Sequence, residues 1–231
     1  MSGIKAWLKG LDRKTGLRSK ALPFVNRKVF FPIISRLSVR CSGSMPINKA
    51  IIRIYRCFNF LGIIPGAGRD FLELELLPHL REANYRNILI VGVMPYSQHY
   101  AYFLMRQGAC VSTMDSDSKA AACGSPQMHI VDRIENAGSY FPDDSIDLVL
   151  CCGIYGFGLM DEKEVRASLS AVRRVLKPKG LLVFSWNRKP MHDPIDLANS
   201  GAFSGFRRCD VMGRQCADFG ENIFEFFHPD K

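Results

Sequence analysis

Asp115 and Asp132 are the residues in this chain whose type and position most plainly suggest chemistry. Each follows directly on a short apolar run, at 109–114 and 128–131, and the two lie 17 residues apart. A carboxylate at the tip of a buried strand can accept hydrogen bonds from a ribose diol or from an adenine amino group. One such Asp means little, because Asp also caps helices and opens turns. Two of them at successive strand ends, both downstream of a strand–Gly–turn–helix, point to an adenosine-containing ligand. Gly92 and Tyr96 belong to that upstream turn, and Arg133 and Ile134 follow the second Asp. His99, Tyr155 and Phe157 are expected to line a neighbouring pocket, against the plainer reading of a surface His and two packing aromatics. His192 with Asp193 has the composition of a base and its orienting acid, but a loop at a helix start is the preferred reading.

The elements that must position these residues start with Ile88, Leu89, Ile90 and Val91, an unbroken apolar run closed by Gly92 and Pro95. Such a run reads as a strand buried on both faces. Tyr100, Phe103 and Leu104 then recur at helical spacing until Gly108. Further strands are expected at 109–114, 128–131, 146–152, 181–186 and 222–227. Helices are expected at 46–61, 71–82 with a kink at Pro78, 97–107 and 160–176, the last stopped by Lys177-Pro178-Lys179-Gly180. Alternating strands and helices require a mostly parallel sheet covered on both faces, whose ligands sit beyond the strands' carboxyl ends.

Charge divides the chain into two parts. Residues 1–69 hold fourteen Lys and Arg against the single acid Asp12, whereas residues 70–231 hold seventeen against twenty-one acids. A basic, partly helical extension over 1–69 thus precedes an α/β domain over 70–231. Within the extension, Ile47, Ala50, Ile51, Ile54, Tyr55, Phe58 and Leu61 make an apolar stripe with Lys49, Arg53 and Arg56 between them. The stripe is expected to pack on the domain beside the carboxyl-end cleft with its charges in water; the sharper alternative is that the basic side meets an anionic membrane surface or an anionic substrate. Aliphatic residues interleaved with the cations make a nucleic-acid arm the weaker reading. Eight cysteines without a CxxC spacing suggest neither a disulfide framework nor a metal site. No apolar stretch approaches the ~20 residues of a membrane span. A reduced cytoplasmic setting, including the inner face of a membrane, is expected.

From about 87 to 187 the chain resembles the S-adenosylmethionine-dependent methyltransferases of Rossmann-like fold. The resemblance rests on Phe141-Pro142-Asp143-Asp144-Ser145-Ile146-Asp147-Leu148, similar to that family's fourth-strand signature. It rests equally on Val172-Arg173-Arg174-Val175-Leu176-Lys177-Pro178-Lys179-Gly180, similar to its fifth helix and strand. It implies a doubly wound, seven-stranded, mostly parallel sheet and S-adenosylmethionine as cofactor. By the same resemblance Asp115 would hold the ribose hydroxyls and Asp132 the adenine amino group, with Arg133 or Ile134 beside the ring. Gly92 and the backbone near Cys152 would face the methionine end. Ile90, Met94 and Tyr96 stand where the family shows an acid and two glycines, so a binding module with an altered cofactor site is the alternative to an enzyme. The acceptor is expected to be a small molecule, a glycan-like or a lipid-linked compound; no catalytic residue is assigned.

Overall fold

The structure, a computed structural model, describes residues 25–39, 44–58, 66–106, 108–155, 161–188 and 201–231. Its centre is a mixed sheet of β1 (Asn87–Val91), β2 (Cys110–Asp115), β3 (Met128–Val131), β4 (Ile146–Tyr155), β5 (Leu176–Asn187), β6 (Phe206–Arg208), β7 (Cys216–Asp218) and β8 (Asn222–Pro229). The order is β3-β2-β1-β4-β5-β8-β6, with β7 also paired to β8. The first five strands are mutually parallel, and β8 enters antiparallel to β5. Arg208 faces Phe227, while Asp218 faces Ile223, so β6 and β7 follow each other along the outer edge of β8. The expected seven positions are therefore present, and the last is filled by two short strands.

Burial alternates along the strands as a sheet covered on both faces requires. Ile88, Ile90, Leu148, Leu150, Leu181 and Val183 face one apolar cluster. Leu89, Val91, Val149, Cys151, Leu182 and Phe184 face the other. The second face is covered by α5 (Glu162–Val175) through Val165, Leu169 and Val172. Asp161 caps that helix, its side chain accepting from the Glu164 amide. Against expectation α5 runs straight into β5. Leu176 pairs with Ile146 and Leu181 with Leu148, so the intervening residues loop out as a bulge instead of separating helix from strand.

The first face carries four helices: α1 (Phe31–Val39), α2 (Met45–Phe58), α3 (Ala67–Glu82) and α4 (His99–Leu104). The middle of α3, Leu72–Leu76, is a π-helical turn. It lies just before Pro78, which has no N–H to give to the preceding turn. Phe31, Ile51, Ile52 and Tyr55 are buried in the same cluster as the sheet residues, so α1 and α2 form part of the domain's cover. Residues 59–61, the expected end of the second helix, lie outside the described residues.

Candidate functional site

The carboxyl ends of β1, β2, β3 and β4 open onto a cavity of about 640 Å3. Its floor forms where β1 turns. Gly92 has φ +79°, and a Cβ there would lie 2.3 Å from Ile154 Cγ2. Only glycine satisfies both the backbone conformation and the close approach. Gly68, at the start of α3, is required for a similar reason: a Cβ would meet Asn222 Cβ at 2.6 Å. That contact sets the start of α3 against the start of β8, both in the cavity wall.

The expected residues Gly92, Tyr96, Asp115, Asp132, Arg133, Ile134 and Cys152 all line this cavity. Asp115 is tied to the β1 turn, its Oδ2 accepting from the Val93 amide at 2.7 Å and its Oδ1 from the Asp117 amide at 2.9 Å. Each oxygen keeps acceptor capacity for a ligand. Asp132 Oδ1 accepts from the Arg133 amide and the Asn136 side chain, and Oδ2 accepts from Tyr140 Oη at 2.8 Å. Hydrogen bonds from Asn136 and Tyr140, then from the Arg133 amide, hold its carboxyl below the usual range. It is thus a fixed acceptor at neutral pH. Arg133 bridges Glu135 and Glu164, each at 2.7 Å, which clamps the rim of the cavity to α5. Burial pushes the Cys152 thiol up to about 12, so it is a neutral wall atom and not a nucleophile.

Two expected pocket residues are placed otherwise. His99 is 1% exposed and packs in the helical layer, its ring 6.3 Å from Tyr55 and 4.8 Å from Tyr100. The first turn of α4 directs it under α1 and α2, away from the cavity. Tyr155 is buried edge-to-face on Trp186 at 6.5 Å, in the cluster of the opposite face. The bulge between Cys152 and Tyr155 turns its side chain there. Phe157 and His192 lie outside the described residues.

The sequence reading missed the charged group at the other end of the cavity. Arg69, on α3, lines the wall with Leu72, Tyr96 and Tyr100. Its Nε donates to Glu73 Oε1 at 2.6 Å and its Nη2 to the Tyr96 carbonyl at 2.8 Å. The guanidinium lies over the Tyr96 ring at 4.4 Å. Glu73 is 1% exposed; it also accepts from Tyr100 Oη at 2.9 Å and pairs with Arg56 Nε of α2 at 2.9 Å. Through that pair α2 adjoins the cleft. The only signal in the sequence was the i, i+4 spacing of Arg69 and Glu73, which on an amphipathic helix reads as a surface pair.

Residues 96–184 match a protein-family model described as "Methyltransferase domain". No curated protein matches the chain. Among solved structures, the N-methyltransferase NodS from Bradyrhizobium japonicum is similar at a TM-score of 0.51 and 15% identity, over 68% of this chain and 93% of NodS. The complex of NodS with S-adenosyl-L-homocysteine gives a TM-score of 0.52 at 14% identity, over 68% and 85%. A TehB-like SAM-dependent methyltransferase from Corynebacterium glutamicum gives 0.50 at 17%, over 70% and 94%. At such identities the likeness is one of fold, and the family match covers less than half of the chain. The chain thus has the Rossmann-like fold of these structures, and its residues 96–184 are similar to a methyltransferase domain.

Proposed function

We propose that the chain is an S-adenosylmethionine-dependent methyltransferase. The observation that carries the reading is the cavity beyond the parallel strands, with Asp115 and Asp132 in one wall and Gly92 at its floor. The residues present fit the cofactor. The volume suits a nucleoside with a short tail, both carboxylates retain acceptor positions, and the floor has no Cβ where the chain turns. When bound, S-adenosylmethionine supplies a methyl group on a sulfonium, and the sulfur keeps the bonding electron pair as the methyl leaves. Asp115 would hold the ribose hydroxyls and Asp132 the adenine amino group, with Ile134 and Arg133 flanking the ring and Cys152 packing at the methionine end. No general base is assigned among the described side chains at the α3–α4 end of the cavity: Tyr100 is committed to Glu73, and burial pushes the Cys152 thiol up to about 12. The protein's contribution is then positioning and exclusion of water.

Calorimetric titration with S-adenosylmethionine and S-adenosylhomocysteine tests this. Saturable one-to-one binding is expected; its absence at millimolar ligand would overturn the reading in favour of the altered binding module. For the acceptor we propose a small, glycan-like or lipid-linked compound. The lipid-linked choice is supported by Val25, Val29, Ile33, Ile47 and Ile54, all exposed on α1, α2 and the turn before them. Exposed Lys28, Arg36 and Arg53 lie among these aliphatics, a composition suited to an anionic bilayer surface. Among the described residues no helix is long and apolar enough to cross a membrane.

A further inference from the structure

The Asp132 carboxyl takes its hydrogen bonds from the short stretch that follows it, within residues 108–155, which are described without a break. Its Oδ1 accepts from the Arg133 amide at 2.7 Å and from Asn136 Nδ2 at 2.8 Å, and its Oδ2 accepts from Tyr140 Oη at 2.8 Å. Each oxygen of an ionised carboxylate has two acceptor positions. Oδ1 is therefore filled, and Oδ2 keeps one. Asp132, Asn136 and Tyr140 follow one another at a spacing of four, and the short helical turn Ile134–Ser139 winds them together. The Asp132 amide in turn donates to the Asp115 carbonyl at 3.1 Å, which ties the main chains of the two aspartates. Asp132 lines the cavity, whereas Asn136 and Tyr140 stand outside its wall. Tyr140 is 46% exposed. Its bond to Asp132 holds the phenol above the ordinary range, so at neutral pH it donates.

We propose that Asn136 and Tyr140 are positioning residues for the cofactor's base: they hold the Asp132 carboxylate so that the one free position on Oδ2 accepts the adenine amino group. This rests on the cofactor reading above and adds what makes Asp132 selective. Held by the Arg133 amide alone, the carboxyl could turn about its own side-chain bonds and present either oxygen. With Asn136 and Tyr140 in place, turning it breaks two further hydrogen bonds, so its direction is set before the ligand arrives. Because it stays ionised it can only accept, and the ligand group that suits it is a donor. Neither residue meets the ligand; both act through Asp132.

The test compares two ligands on the full chain by calorimetry: S-adenosylhomocysteine and its purine analogue, which carries hydrogen where adenine carries the amino group. The wild type is expected to prefer the adenine compound about tenfold or more. Tyr140→Phe removes one hydroxyl from an exposed side chain. It should cut that preference about threefold or more, by weakening the adenine compound while the purine analogue binds as before. Asn136→Ala should act in the same direction. In Asp132→Ala the preference should be lost, and adding Tyr140→Phe should then change neither ligand. Equal loss of both ligands in Tyr140→Phe and Asn136→Ala would mark a merely structural role and overturn the proposal. So would an unchanged preference in both variants, or a wild type that binds the two ligands alike. Failure of both ligands on the wild type would instead overturn the cofactor reading itself.

Discussion

At the scale of single residues, the site depends on a few groups that tolerate little change. Gly92→Ala combines a left-handed backbone with a Cβ 2.3 Å from Ile154. We expect a loss of about 1–3 kcal/mol in denaturant unfolding and a weakened cofactor titration. Asp115→Ala removes a charge-assisted acceptor and also frees the Val93 amide, so binding should weaken roughly tenfold to a hundredfold. Asp132→Ala should weaken it as well, chiefly for ligands that carry the adenine amino group; inosine-based analogues would reveal the difference. His99 supplies a pH signature. Burial, then the charges of Arg69 and Arg56, hold its imidazole well below the usual range. The unfolded chain therefore binds a proton below about pH 6.5 that the folded chain refuses. Stability should fall on acidification below that point, with a slope approaching about 1.4 kcal/mol per pH unit from this group. His99→Gln should flatten that part of the curve. The two strand-end aspartates were legible because they come as a pair, ending successive apolar runs 17 residues apart at the same end of the sheet. Arg69 and His99 were not, because only the packing of α3 and α4 decides which faces the cavity and which faces the core.

Among the elements, the long buried strands were readable from their unbroken apolar runs, and β1, β2, β3 and β4 lie where the pattern puts them. The edge was not. Phe206–Arg208 and Cys216–Asp218 are three residues each, too short for any period to register. The stop signal at Lys177–Gly180 misled for a physical reason: Pro and Gly can end a helix, but here they also form the bulge that begins a strand. The first helix escaped notice because Pro32 and scattered cations mask the buried Phe31 and Ser35. What α2 does is testable apart from any surface role. Ile52 is fully buried, so Ile52→Ala should cost about 2–5 kcal/mol of unfolding free energy. Ile54, 46% exposed two residues later, should change it by less than about 0.5 kcal/mol when replaced by Ala. Glu73→Ala, leaving two arginines without their shared buried partner, should cost about 3–5 kcal/mol and loosen α2 from α3.

For the molecule as a whole, the basic extension and the acidic domain are one packed body over the described helices, with the positive side outward. If that side meets anionic lipid, flotation with vesicles rich in acidic phospholipid should exceed that with neutral vesicles at low salt. The difference should shrink as salt rises; equal recovery on both would leave α1 and α2 a packing role alone. The divided strand beyond β8 has a different consequence, for the behaviour of many copies in one solution. A long unpaired sheet margin invites a strand from another molecule and so begins aggregation. Here the margin is broken into two three-residue lengths, parted by a turn in which Val211 bridges Arg214 and both Met212 and Gly213 adopt positive φ. The opposite margin, β3, is only four residues long. Neither side offers an incoming chain enough consecutive amides to hold on to, so the sheet resists growth beyond its own strands.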